Sequence, residues 1–158
     1  MVRYKCRWIL FELVQDPILQ NDKIVDTNTP LRLTEQMIQK TLRDSILTTY
    51  GDYGAGLLRA AHVKWYNPET GTGIIRTPRE HDDMLLSALF FVKQIESIPC
   101  SFRFLRVSGT LVFIQKAAIE RDRSLYLKEQ ARMEQLGKTY SVVDRIQTCT
   151  NKVNSINV

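Results

Sequence analysis

Apolar and polar positions change their period several times along the chain, and each change marks a boundary. Residues 5 to 14, Lys-Cys-Arg-Trp-Ile-Leu-Phe-Glu-Leu-Val, are dense in aliphatic and aromatic side chains and predict a strand. Asp16-Pro17 stops it, and the polar stretch from Gln20 to Pro30 predicts a surface loop. Thr34 can then cap a helix running to about Tyr50, with Ile38, Leu42 and Ile46 at i, i+4 and i+8 on one face. Gly51 is placed to end that helix. Residues 57 to 66 predict a second strand, with Val63 and Trp65 on one face and His62 and Lys64 on the other. Asn67 to Gly73 has turn composition, and Ile74-Ile75-Arg76 predicts a short third strand that makes a hairpin with the second.

Thr77-Pro78-Arg79-Glu80 combines a capping residue, a proline at the first helical position and a glutamate three residues after the cap. Asp82 and Asp83 add negative charge where a helix dipole is positive. A second helix is therefore expected from this box to about Ile95, with Pro99 closing the loop behind it. Phe102 to Ser108 predicts a fourth strand, Thr110 starts a third helix to about Arg123, and Leu125 to Leu136 predicts a fourth helix. After Gly137 the chain is rich in Thr, Ser and Asn, which predicts a flexible tail.

The resulting order is β-α-β-β-α-β. Two such halves close into one antiparallel sheet with two helices on one face, a ferredoxin-like or RRM-like α+β sandwich. The domain organisation expected is a core over 1-123, a C-terminal helix over 124-137 and a tail over 138-158, the additional helices packing at an edge or over the other sheet face.

Strand one holds more apolar surface than a half-buried strand needs. Cys6, Trp8 and Leu10 oppose Arg3, Lys5 and Arg7, but Ile9, Phe11 and Leu13 then occupy the formerly polar face. Helix two carries a stripe of Leu85, Ala88, Leu89, Val92 and Ile95, and also Met84, Leu86, Phe90 and Phe91 elsewhere on its circumference. Either the chain's own C-terminal helices cover this surplus or another protein does. The second reading makes Ile9, Phe11, Leu13, Phe90 and Phe91 candidate protein-interface residues.

Composition narrows the class. With 158 residues, 44% apolar and 25% charged, the chain fits one globular domain and excludes collagen, coiled coil and wholesale disorder. No apolar run approaches the roughly 20 residues that span a bilayer, and no secretory signal is expected at the amino terminus. Cys6, Cys100 and Cys149 are too few and too scattered for a disulfide framework or a zinc site. A net charge of +5 permits a polyanionic partner without requiring one.

Catalytic chemistry is not evident. His62 and His81 have no Ser or Cys at motif spacing, and His81-Asp82-Asp83 reads as a solvated helix start rather than a metal site. Gly71-Thr72-Gly73 leads into a strand and is too short to cradle a phosphate. No catalytic or metal-binding residue is assigned. The basic residues are more suggestive. Arg3, Lys5 and Arg7 recur at period two, and Lys64, Arg76, Arg79, Arg103 and Arg106 sit on the other strands or their ends. All eight are either solvated surface charges or candidate RNA-binding residues, the six arginines because a guanidinium fork suits phosphate and the two lysines as point charges. A base-stacking RRM platform needs aromatics on its central strands, and strand three has none. Contact with RNA should thus be mainly to phosphate and shape. A stand-alone RRM-like single-strand RNA-binding module and a small ferredoxin-like phosphatase or nuclease remain the alternatives.

Several stretches, in order, resemble one family. The opening Met1 to Glu12, then Gly51-Asp52-Tyr53-Gly54, Thr72-Gly73-Ile74-Ile75-Arg76 followed by Arg79-Glu80, and Val107-Ser108-Gly109-Thr110 are similar to the Pop-five protein subunit of ribonuclease P and ribonuclease MRP. The match runs from residue 1 to about 123. The resemblance implies an RRM-like fold and a non-catalytic subunit of a ribonucleoprotein whose RNA carries the active site. Ribonuclease P removes the 5′ leader of precursor tRNA, and ribonuclease MRP cleaves precursor rRNA. It also implies ribonuclease P/MRP RNA, precursor tRNA, a TIM-barrel-like subunit and a smaller RRM-like subunit as partners. Magnesium is expected on the partner RNA rather than on this chain, and the location expected is the nucleus and nucleolus for a eukaryotic source or the cytoplasm for an archaeal one, with no membrane.

Overall fold

The computed structural model describes residues 5–20, 23–25, 32–138 and 141–157. The elements are β1 (Cys6–Gln15), β2 (Ile18–Gln20), β3 (Lys23–Val25), α1 (Glu35–Leu57), β4 (His62–Asn67), β5 (Thr72–Pro78), a 3-10 turn at Arg79–His81, α2 (Asp82–Phe90), β6 (Gln94–Ile95), β7 (Ile98–Ser108), α3 (Leu111–Gln135) and α4 (Val143–Asn154). The main sheet has the order β4-β5-β1-β7-β6, with every neighbouring pair antiparallel. Without the two-residue β6, this is the ferredoxin-like order expected. β2 and β3 pair as a separate small two-stranded unit that reaches into the stretch from Gln20 to Pro30 read as a loop.

β1 lies at the centre, and both its faces are covered. Ile9, Phe11 and Leu13 pack with Ile38, Leu42 and Ile46 of α1 and Leu85, Ala88 and Leu89 of α2. Trp8 and Leu10 pack on the opposite face with Trp65, Ile74, Ile114, Ala118, Tyr126, Cys149 and Val153. A strand buried on both sides loses the alternation of a half-buried one, and this accounts for the surplus apolar residues of β1. Ile9, Phe11 and Leu13 are therefore core residues of this chain, almost fully buried, and not available to a partner. Their expected role as interface residues is corrected on that ground.

Gly73 faces Phe11 across the β1–β5 pair. A Cβ there would lie 2.3 Å from the Phe11 ring, so only glycine lets that ring settle over the sheet. Gly51 interrupts α1 as expected, with φ +61, but it kinks the helix rather than ending it. A further helical run continues to Leu57, so β4 starts only at His62.

The expected capping box is not used. Pairing of β5 with β1 extends to Thr77 and Pro78, opposite Arg7 and Cys6. The sheet thus claims the residues that local signals assign to a helix cap, and α2 begins at Asp82 after a 3-10 turn. It ends at Phe90, because the chain then turns into the β6–β7 hairpin, where Gln94 and Ile95 pair with Pro99 and Ile98. The third and fourth expected helices are one continuous α3, since nothing between Arg123 and Leu125 breaks the ladder.

Residues 143–154, placed in the flexible tail by composition, form α4. Val142, Ile146, Cys149, Val153 and Ile156 recur at helical spacing and pack against the α3 side of the sheet. Thr, Ser and Asn occupy the outer positions and obscure this stripe. Among the described residues no helix is long and apolar enough to cross a membrane.

Candidate nucleic-acid interface

The start of β1 and the end of β5 meet at one end of the sheet and bring three of the expected cations together. The Arg79 backbone N–H donates to the Lys5 carbonyl at 3.1 Å, which places Arg79 beside Lys5. Both are exposed. Arg7 is half-buried, with its Nε 3.8 Å from an Asp82 carboxylate oxygen at the start of α2. Its guanidinium also lies against Gly109, where a Cβ would sit 2.9 Å from Nη1. Arg3 lies outside the described residues.

Arg76 belongs to the other face of the sheet. It is opposite Trp8 in the β1–β5 register, and its guanidinium carbon stands 5.8 Å from that ring's centroid, within cation–π range. Arg106 is exposed and opposite Leu10, so it shares this face. Lys64 occupies a bulge in β4, between Val63 opposite Ile75 and Trp65 opposite Ile74.

Arg103 has a different occupation. Its Nη2 donates to Glu12 Oε2 at 2.7 Å, and Arg121 Nη2 donates to the same oxygen at 2.8 Å and to Oε1 at 3.1 Å. Glu12 is buried in the central strand, where an unpaired carboxylate would be costly. Arg103 and Arg121 satisfy it, and Arg103 is thereby engaged within the fold. No spacing signal linked Arg121 to Glu12, because they are 109 positions apart.

A second buried polar group ties α3 and α4 to β4. Asn67 Nδ2 donates to Asp122 Oδ2 at 2.9 Å and to the Tyr126 hydroxyl at 3.1 Å, and the Cys149 thiol donates to Asp122 Oδ2 at 2.9 Å. Tyr126 in turn donates to Glu69 Oε2 at 2.9 Å. Burial pushes the Tyr126 hydroxyl well above its ordinary range; the Asn67 bond opposes this, while Glu69 and Asp122 add to it. Burial and the Asp122 carboxylate hold the Cys149 thiol high and therefore unreactive. Burial likewise raises Tyr66 and Cys100. These groups hold the structure together. Among the described residues no group of three or more His, Cys, Asp or Glu side chains could hold a metal ion.

Exposed apolar side chains cluster around the end of α2 and β7, while others such as Val112 and Phe113 lie on α3. Phe90 and Phe91 are 72% and 66% exposed, with their rings edge-on at 5.7 Å. With Leu86, Ser87 and Phe104 they line a shallow apolar depression. Val107, also exposed, lies on the same sheet face as Phe104. These two phenylalanines are the part of the expected interface set that the fold leaves uncovered.

The Rpp14/Pop5 family model matches residues 7–119. This chain belongs to the Rpp14/Pop5 family. Among its relatives, the ribonuclease P/MRP protein subunit POP5 of Schizosaccharomyces pombe is 32% identical over 125 residues, covering 78% of this chain and 90% of the relative. The probable POP5 subunit of Arabidopsis thaliana is 32% identical over 127 residues, covering 80% and 82%. In the cryo-EM structure of yeast ribonuclease MRP, one chain superimposes with a TM-score of 0.50 at 13% identity, covering 79% of this chain and 97% of that one. It shares the fold. The Rpp14/Pop5 region runs from β1 into α3, so it contains Arg7, Lys64, Arg76, Arg79 and the Phe90–Phe91 pair, whereas α4 lies beyond it.

Proposed function

We propose that this Rpp14/Pop5 chain is a non-catalytic protein subunit of ribonuclease P and ribonuclease MRP. It supports the catalytic RNA in removing the 5′ leader of precursor tRNA and in processing precursor rRNA. Family membership carries this reading: the model match spans β1 to α3, and the relatives are named as subunits of these two particles. Two surfaces fit the role. Lys5, Arg7 and Arg79 form a cationic end suited to phosphate, with Arg76, Arg106 and Lys64 elsewhere on the sheet. The Phe90–Phe91–Phe104 depression offers an apolar seat for another protein subunit, of either the TIM-barrel-like or the smaller RRM-like kind. Magnesium belongs to the RNA in this scheme and supplies metal-activated water there. The location proposed is the nucleus and nucleolus.

A stand-alone RRM module is disfavoured by a specific observation. The sheet face that would stack bases is covered by α3 and α4, leaving Trp8 only 2% and Trp65 only 6% exposed. The experiment is affinity purification of the tagged chain, sequencing of the co-purifying RNA, and a precursor-tRNA cleavage assay on the eluate. Recovery of ribonuclease P or MRP RNA with leader-removing activity is expected. A chain recovered without structured RNA, or activity that survives removal of the RNA, overturns the proposal.

A further inference from the structure

One charged feature stands apart from the Lys5–Arg7–Arg79 end. Arg43 of α1 and His62 of β4 line one depression at the β4 edge of the sheet, and Arg43, Lys64 of β4 and Arg76 of β5 each add positive potential at His62. His62 lies directly across from Arg76 in the β4–β5 register, and the bulge at Lys64 displaces that side chain from the regular alternation. Arg43, Lys64 and Arg76 have no carboxylate within ion-pair distance among the described residues. Nearby carboxylates belong to α1. Glu35 accepts the Tyr66 backbone N–H at 3.2 Å, and both Glu35 and Asp44 line the same depression as Arg43 and His62, with Lys40, whose ammonium pairs with Glu96 at 3.8 Å. Neither acid forms an ion pair with Arg43, His62, Lys64 or Arg76.

β4 is also the outermost strand on its side, with nothing of the described sheet beyond it. Like charges brought together this way repel, and an anion seated among them removes the repulsion. The four groups come from two strands and a helix rather than from one point. That spread suits successive phosphates along a backbone better than a single small anion.

We infer that the Arg43–His62–Lys64–Arg76 edge is a second RNA-backbone site, in which His62 serves as a proton-linked phosphate ligand. It rests on the RNA-subunit reading above and adds to it a separate surface and two residues, Arg43 and His62, that sequence spacing did not single out. In the free chain His62 is exposed, and partial desolvation first and then Arg43, Lys64 and Arg76 hold it below its ordinary value. A phosphate beside it favours the imidazolium, so binding takes up a proton and tightens as pH falls.

The test uses the full chain and a fluorescein-labelled RNA stem–loop, followed by anisotropy over a range of salt and pH. Arg43→Gln with Lys64→Gln should weaken binding about tenfold at low salt and lower the salt slope by about 2, one for each lost phosphate contact. His62→Gln should leave binding at pH 7.5 nearly unchanged and abolish the tightening between pH 7.5 and 5.5. Circular dichroism checks that these surface variants stay folded. Lys5→Ala with Arg79→Ala serves as the separate arm. If that pair loses affinity while the Arg43/Lys64 pair binds like the parent, the edge site is refuted and the subunit reading stands. If neither pair loses affinity, the cationic basis of the subunit reading falls as well. Displacement of the RNA by poly-glutamate at equal charge concentration would assign the edge to an acidic protein segment and overturn the inference.

Discussion

The two faces of the sheet are packed by different means. On the α1–α2 side, Ile9, Phe11 and Leu13 meet Ile38, Leu42, Ile46, Leu85 and Leu89, an almost wholly apolar contact. On the α3–α4 side, Trp8, Leu10 and Ile74 share the interior with Asn67, Asp122, Tyr126 and Cys149, and the Glu12–Arg103–Arg121 triad lies on the same face. The apolar contact is non-directional and follows from burial alone. The polar contacts are directional, and they fix where α4 sits against α3 and β4. One face is generic in its chemistry and the other is specific.

That contrast can be broken most severely on the apolar side. Phe11→Ala should cost about 3–5 kcal/mol, by lost burial and the cavity left between Tyr66 and Phe102. Urea unfolding measures it, and a loss under about 1 kcal/mol would show that Phe11 is not central to the core.

Gly73→Ala tests the same contact from the other side. The added methyl meets the immobile Phe11 ring and should destabilise by roughly 1–3 kcal/mol.

On the polar side, Asp122→Ala removes the acceptor shared by the Asn67 amide and the Cys149 thiol, leaves Asn67 its bond to Tyr126, and should cost about 1–3 kcal/mol. Its distinguishing mark is local. Amide exchange should accelerate in α4 while α1 and α2 keep their protection. Uniform acceleration throughout would mean that the two faces do not differ in this way.

The mildest probe is alkaline pH. Tyr66 and Tyr126 have their hydroxyls held protonated in the fold, whereas the unfolded chain ionises them near about 10. The unfolded state therefore loses protons first, and stability should fall as pH rises through that region. Ultraviolet titration should show these two tyrosines resisting ionisation until unfolding. In the same spirit, Cys6 should react with a thiol reagent well before the buried Cys100 and Cys149.

Local periodicity carried the order of strands, the Ile38–Leu42–Ile46 stripe and the break at Gly51, because each depends on neighbours a few residues away. Thr77 and Pro78 show where local signals lose: their capping pattern is real, but pairing with β1 outweighs it. α4 was legible as the stripe Val142, Ile146, Cys149, Val153 and Ile156, yet its polar composition masked it. The cationic residues were all visible as residue types. Their grouping was not, because register and packing decide that Arg79 meets Lys5, that Arg103 neutralises Glu12, and that Arg43 shares a depression with His62 across an element boundary.

By itself the amino-acid order determined the core strands β1, β4, β5 and β7, the presence of α1, α2 and α3, the α+β class and, through ordered family motifs, the kind of particle to look for. Only the tertiary arrangement decided which apolar side chains are spent on the chain's own interior and which, like Phe90 and Phe91, stay outside. Periodicity tells a side chain's face, but burial depends on what covers that face. Here α3 and α4, which cover Trp8 and Leu10, come from more than 100 positions away in the chain.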